Sequence, residues 1–392
     1  MAQVERQKLI SKGLIMKGCH VTVLNRYGIH NREKSAGVLW QGNFEGIDFM
    51  YASGHPYRES AFLRRNLLKV KGFVNEIRFI IGKSRKQELD AVLISTNEFY
   101  NVLVYSIIAA VCGVTSVLDN VEFWTAHRKK KSLLKRIDNY LYDYFAFRCV
   151  DRVLCISNFL MDLVKSKAAS KPVLKVPAIV DFTKFAYQAE KEAYFLFCGS
   201  AAYTETIHFV INAYTLLRQT RFKLYLVTSG SDTEEASVRD AINNNQYKDS
   251  IHFFSRLPYQ RLIQLYTSSS ALLIPLRNNG QDKARFPHKI GEYCAAKGAI
   301  ISTKYGEINY YFSDQVNALL SDAFDEKQFS DKMRIVVENP KLAQMLGLKS
   351  YKTGQMYFDH EVLGEKIFNF IKAHDSAMEF RSFEDSNVLS KQ

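Results

Sequence analysis

Arg285, Lys289 and Glu292 lie in the stretch Arg285-Phe-Pro-His-Lys289-Ile-Gly-Glu292-Tyr-Cys-Ala-Ala-Lys-Gly298-Ala-Ile-Ile-Ser-Thr303. Pro287 suits the first turn of a helix, where a missing N–H is no loss. Gly298 suits the C-terminus of that helix, and the apolar run after it predicts a strand. The unit is a loop, a helix N-terminus and a strand, with two cations near the positive end of the helix. Such an end can hold a phosphate. Glu292 follows Lys289 by three residues, shares its helical face and can accept hydrogen bonds from a sugar hydroxyl. The same Lys–Glu spacing also makes a surface ion pair worth about 0.2–0.5 kcal/mol, and spacing alone leaves both readings open.

The pattern Arg-Phe-Pro-x-Lys-x-x-Glu-Tyr-x-Ala-x-Gly, followed by a β-run and Thr, resembles the nucleotide-sugar signature of GT-B glycosyltransferases. In particular it is similar to that of the large retaining group called family 4. The resemblance implies that Arg285 and Lys289 contact the donor diphosphate and carry the catalysis, and that Glu292 contacts the ribose. Gly199-Ser200 resembles the family's turn beneath the donor phosphates, where small residues let backbone amides approach an anion. An ordinary tight turn has the same composition. Many members hold the donor sugar with a glutamate eight residues before the helix glutamate; here Ala284 stands at that place. Asp282 is nearby and could partly substitute, though a solvated loop aspartate fits it better, so the sugar stays open. Asp119-Asn-Val-Glu122-Phe-Trp124 resembles a segment of a bacterial subset of the family, which puts Glu122 and Trp124 on the acceptor side. A capping Glu and a core Trp fit the same residues.

The elements that must position these groups alternate between strand and helix, which predicts a parallel α/β architecture. Strands are expected at Cys19–Leu24, Ala91–Ser95, Thr115–Leu118, Val153–Ile156 and Val173–Val176 in the first half. The pattern restarts at Tyr194–Cys198, Lys223–Thr228, Ile251–Phe254 and Ala271–Pro275, and two or three helices close the fold between about Glu326 and His374. Ser157 is expected to cap a helix. Two doubly wound sheets in tandem place ligands at the C-terminal strand ends, in the cleft between domains. The expected organisation is a Rossmann-like acceptor domain at 1–178, a Rossmann-like donor domain at 179–375 and a polar tail at 376–392. The resemblance implies a GT-B fold whose N-terminal domain lacks its first strand, because Val4–Lys17 reads as the helix that follows that strand in the family.

At 47% hydrophobic and 13% aromatic residues, the chain has the composition of filled cores rather than disorder. The six cysteines form no CxxC pair, which favours buried thiols over a disulfide frame or a zinc site. No run of 18 apolar residues and no signal peptide is visible. The net charge of +13 lies wholly in residues 1–180, with 28 Lys and Arg against 15 Asp and Glu. That points to an anionic partner. Residues 128–148 start basic, at Arg128-Lys-Lys-Lys131, and become aromatic at helical spacing. This mixture suits an anionic membrane surface, and equally a core helix with a solvated first turn. No nucleic-acid module is visible.

The reading is a retaining glycosyltransferase that takes a nucleotide-diphosphate sugar and an acceptor saccharide, free or lipid-linked. Surface polysaccharide assembly on the inner face of the cytoplasmic membrane is the expected setting. No cofactor and no metal are expected. Two alternatives stay beside it: a degenerate GT-B partner protein without catalysis, and a sugar-nucleotide epimerase.

Overall fold

The computed structural model describes residues 2–126, 132–186, 188, 190–218 and 220–373. The expected tail at 376–392 and the basic start of the 128–148 stretch, residues 128–131, lie outside the described residues.

The first half opens with helix α1 (Ala2–Ile15), strand β1 (Thr22–Asn25) and a hairpin of β2 (Gln41–Phe44) and β3 (Ile47–Tyr51). Helix α2 (Phe62–Arg85) follows, then β4 (Ala91–Ile94), α3 (Phe99–Val111), β5 (Thr115–Asn120) and α4 (Leu133–Cys149). The half closes with β6 (Arg152–Cys155), α5 (Asn158–Lys167) and β7 (Val173–Lys175). Ser157 caps α5 as expected, its Oγ accepting the Leu160 N–H at 3.3 Å.

The hairpin went unread in the sequence. Its turn is Glu45-Gly46, with φ of 54° and 84°, the left-handed pair that a two-residue hairpin turn requires. Lys12 and Lys8 of α1 clamp the Glu45 carboxylate at 2.5 and 2.6 Å. Those two hydrogen bonds, Lys12 first, hold its pKa down at about 2.

The first-half strands form two separate sheets, one of order β1-β3-β2 and one of order β4-β5-β6-β7. No strand pairing joins the two sheets among the described residues. The edge strands β1 and β4 differ from the inner ones: Thr22–Leu24 and Ala91–Leu93 are only half-buried, whereas Val117, Leu118, Val153 and Leu154 are almost fully buried. Arg26, just past β1, ties this edge to its neighbours. It donates to Glu76 of α2 at 2.9 Å and to Asn101 and Tyr105 of α3 at 2.8 and 2.7 Å.

The second half is one six-stranded sheet, all parallel, of order β10-β9-β8-β11-β12-β13. Its strands are β8 (Glu192–Ser200), β9 (Lys223–Ser229), β10 (Ile251–Phe254), β11 (Ser269–Ile274), β12 (Ala299–Thr303) and β13 (Leu319–Ser321). Helices α6 (Thr204–Thr215), α7 (Asp232–Asn243), α8 (Tyr259–Ser268), α9 (Gly280–Ala284), α10 (Lys289–Ala296) and α11 (Ile308–Tyr311) connect them. Ala271, Leu272 and Leu273 of β11 are fully buried, which is why the strand reads as a continuous apolar run.

Three helices end the described chain: α12 (Glu326–Glu338), α13 (Pro340–Phe358) and α14 (His360–Lys372). The last returns to the first half. Leu363, Ile367 and Phe370 pack with Leu9 and Ile10 of α1 and with Val117 and Leu154 of the sheet beneath. The crossing is close because glycines meet there: a Cβ on Gly364 would lie 2.4 Å from the Gly13 Cα.

The halves share a core in which Ile156 and Leu160 pack with Phe286 and Ile290. Hydrogen bonds cross the same boundary. Ser157 Oγ donates to the Ala284 carbonyl at 2.5 Å, and the Asn158 N–H donates to Glu307 at 2.6 Å. Lys175 pairs with the other Glu307 oxygen at 2.7 Å.

Candidate functional site

In the second sheet the chain starts at β8, moves outward through β9 and β10, then returns to β11 on the other side of β8. The strand order therefore reverses between β8 and β11. In open α/β sheets a ligand binds in the crevice at the C-terminal ends of the strands flanking such a reversal. Gly199-Ser200 ends β8, and Arg285 follows β11 and the short helix α9. Topology alone thus brings together two sequence-selected positions that lie far apart in the chain.

A Cβ at Gly199 would lie 2.9 Å from the far end of the Phe197 ring, so any larger residue there would have to displace that ring. Ser200 shapes the turn into α6: its Oγ accepts from Ala202 N–H at 3.3 Å and its carbonyl from Tyr203 N–H at 3.1 Å.

Arg285 is held from two sides. Its Nη1 donates to the Tyr203 hydroxyl at 2.6 Å, and the guanidinium lies over that ring, 4.8 Å from the centroid. Its Nη2 meets Asp282 Oδ1 at 2.7 Å. Arg285 Nε is buried and has no acceptor among the described residues. A buried donor without a partner costs roughly 1–3 kcal/mol, so an anion arriving there would find a donor already desolvated.

Asp282 corrects an expectation. It is 1% exposed rather than solvated. Its Oδ2 accepts from the Arg277 N–H at 3.0 Å and from Arg277 Nε at 2.9 Å. Asn279 caps α9 by accepting the Asp282 N–H at 2.8 Å. Asp282 therefore organises the loop and aims Arg285. Ala284, where many relatives have a glutamate, is buried, and its carbonyl takes the interdomain bond from Ser157.

Lys289 is the first residue of α10. Burial pushes its pKa down, but the neighbouring Cys198 thiol and the Glu292 carboxylate outweigh this and leave it above the usual lysine value. It stays charged, beside the end of β8. Glu292 accepts a hydrogen bond from the Tyr259 hydroxyl at 3.0 Å. Burial raises the Glu292 pKa, against the opposing pull of Lys289 and Tyr259. The Tyr259 ring in turn carries Lys184 at 5.6 Å, which bridges to Glu5 of α1 at 3.0 Å. Glu292 is thereby linked to the first half, and is no isolated surface partner of Lys289.

The helix end also departs from expectation. Lys297, with φ of 56°, takes the left-handed position at the end of α10. Gly298 matters for packing instead, since a Cβ there would lie 3.0 Å from Leu272. Pro287 stands ahead of the helix, its carbonyl accepting the Ile290 N–H at 3.0 Å.

Glu122 and Trp124 sit in the loop between β5 and α4. The Trp124 and Thr125 N–H groups donate to Asp143 at 3.0 and 2.7 Å, and the Trp124 ring packs against the main core. The loop reaches the second half, because a Cβ on Gly280 would lie 3.8 Å from the Ala126 methyl. Asp119, which begins the segment, is bound by Arg6 at 2.9 Å.

Sequence reasoning missed Tyr203, Tyr259, Arg6 and His288. His288 precedes Lys289 with its Nε2 buried and without a partner among the described residues. Burial, then the nearby Arg6 and Lys289 charges, lower its pKa to about 3. Only His288 carried a local signal, its place inside the motif; the others are set by contacts across the chain. The six cysteines are free, with Cys155 and Cys294 buried.

The two Rossmann-like halves together have the GT-B fold. Residues 180–353 match the family described as glycosyl transferases group 1. No curated protein sequence matches the chain. Among solved structures it is similar to sucrose-phosphate synthase from Thermosynechococcus elongatus, with 14% identity, TM-score 0.72, and coverage of 94% of this chain and 92% of that one. A glycosyltransferase from Rickettsia africae gives 14% identity, TM-score 0.67, and coverage of 95% and 94%. Anabaena HepE in complex with UDP gives 13% identity, TM-score 0.58, and coverage of 81% and 92%.

Proposed function

We propose that this protein is a retaining glycosyltransferase that uses a nucleotide-diphosphate sugar and builds surface polysaccharide. The observation that carries the reading is the convergence of Arg285, Lys289 and the Gly199-Ser200 turn at the strand-order reversal. The donor's diphosphate sits there, with Glu292 on the ribose. Residues 179–375 are the donor domain and residues 1–178 the acceptor domain. Glu122 and Trp124 face the acceptor, which is a saccharide, free or lipid-linked.

In the transfer, the bond from the sugar's anomeric carbon to the diphosphate oxygen breaks, and that oxygen keeps the electron pair. The acceptor hydroxyl oxygen bonds the same face of the sugar, and its proton passes to the departing phosphate. The sugar becomes oxocarbenium-like while negative charge grows on the diphosphate. Arg285, Lys289 and the amides at the start of α10 stabilise that charge. They supply positive charge where a metal would otherwise be needed, so no cofactor is assigned.

Titration calorimetry with UDP, GDP and ADP tests the donor site. HepE and the pneumococcal O-GlcNAc transferase GtfA hold UDP in their structures, which makes UDP the first nucleotide to try. Saturable binding of one nucleotide that Lys289→Ala abolishes supports the reading. Absence of binding by folded protein overturns it.

The membrane part rests on charge and on α4. Residues 128–148 are read as touching an anionic bilayer from the cytoplasmic side. No described helix is long and apolar enough to cross a membrane.

A further inference from the structure

Helices α2, α3 and α4 form one layer, with α3 packed between the other two. Each buries one side and turns apolar residues outward. On α2, Leu63, Leu67 and Val70 are 76%, 70% and 62% exposed. On α3, Leu103, Ile107 and Val111 recur at helical spacing and are all exposed, Val111 at 82%. On α4, Leu134 is 80% exposed, with Ile137 and Tyr140 also exposed in its stripe. Fourteen of the 28 exposed large apolar side chains among the described residues lie on these three helices. Soluble monomers rarely leave more than a few hundred Å² of contiguous apolar surface in water, so this layer calls for a partner.

Charge decides which partner. Helix α2 carries seven Lys and Arg residues and one acidic residue, Glu76, which is buried against Arg26. Helix α3 has no charged residue at all. The layer is therefore an apolar strip bordered by cations. A second copy would set one basic α2 rim against another, and like charges across an interface are unfavourable. Anionic headgroups above acyl chains complement both features at once. At 24 residues, α2 alone extends for roughly 36 Å.

We infer that the outward faces of α2, α3 and α4 together dock this protein on an anionic lipid bilayer. This deepens the membrane reading above and rests on it for the kind of partner. It moves the main contact from the 128–148 segment alone to a three-helix face centred on α3. Asp143 of α4 accepts the Trp124 and Thr125 N–H groups, so a docked face holds the acceptor side of the cleft near the lipid surface.

Vesicle flotation tests this, with phosphatidylcholine alone and with phosphatidylcholine mixed with phosphatidylglycerol. The variants are Leu67→Ser/Ile107→Ser/Leu134→Ser, and Arg64→Gln/Lys71→Gln/Arg78→Gln. All six residues are exposed, and none belongs to the donor site. The wild type is expected to float with the anionic vesicles. Each triple variant should bind them roughly tenfold more weakly or less well still. Circular dichroism and nucleotide calorimetry on the same samples separate loss of docking from loss of fold or of the donor site. Failure of wild-type protein with intact nucleotide binding to float overturns the inference. So does flotation that the apolar variant leaves unchanged. Sedimentation showing a wild-type dimer that the apolar variant abolishes would give the face to a second copy, and would likewise overturn it.

Discussion

Asp282 Oδ1 lies 2.7 Å from Arg285 Nη2, while the other oxygen of the same carboxylate binds the backbone and side chain of Arg277. One buried acid thus fixes two arginines at the end of β11. Replacing it with asparagine keeps the shape and removes the charge. Asp282→Asn should weaken nucleotide binding by roughly tenfold or more, because Arg285 loses its orientation. Breaking a buried pair on one side should also cost about 3 kcal/mol of stability. Calorimetry and urea unfolding read the two effects separately.

Lys289 and Glu292 share a helix face but should behave differently on substitution. Lys289→Ala removes a charge aimed at the end of β8 and should reduce nucleotide affinity roughly ten- to a hundredfold. Glu292→Gln keeps a hydrogen-bond acceptor for Tyr259 and should cost less than Lys289→Ala. With a 2′-deoxyribonucleotide the gap between Glu292→Gln and wild type should narrow if Glu292 reads the ribose. Equal losses with both sugars would remove Glu292 from that role.

His288 makes stability depend on pH. Its folded pKa is lowered to about 3, while the unfolded chain titrates near 6.5. Between these values the unfolded state binds the extra proton. The neutral folded histidine therefore contributes its full share above pH 6.5, and that share is lost as pH falls toward 3. The slope from this one group approaches about 1.4 kcal/mol per pH unit in the middle of the window. Urea midpoints measured from pH 7 to pH 4.5 should fall less steeply in His288→Gln than in wild type.

Arg6 and Asp119 form a salt bridge with 1% and 0% exposure. Arg6 also donates to the carbonyls of Pro177 and Val176 at 2.7 and 2.9 Å. Asp119→Ala leaves a buried guanidinium and should destabilise by about 3–5 kcal/mol. The double variant Arg6→Met/Asp119→Leu should recover much of that loss in a thermal or urea melt. No recovery would mean that the two carbonyl contacts, rather than the ion pair, hold α1 in place.

Most strands of the second half were legible, because a buried parallel strand needs an unbroken apolar run and a turn signal at its end. Residues 251–254 and the strand after Gly298 fall where they were read. The first half was less legible. The hairpin turn at Glu45-Gly46 is not one of the common turn pairs, and α2 presents apolar residues on both its buried and its open face, which blurs the period. Asp282 was misread because its solvation depends on Arg277 and Arg285 closing over it.

Sequence alone determined the alternation of strand and helix, the Arg285–Glu292 motif and the concentration of positive charge in residues 1–180. Those features are local or additive, so they need no partner to exist. The tertiary structure decided that β8 and β11 lie side by side, that Tyr203 receives Arg285, that α14 returns to α1 through Gly13 and Gly364, and that three apolar stripes share one layer. Each of these joins residues far apart in the chain, and burial and close approach come into being only when the chain has brought them together.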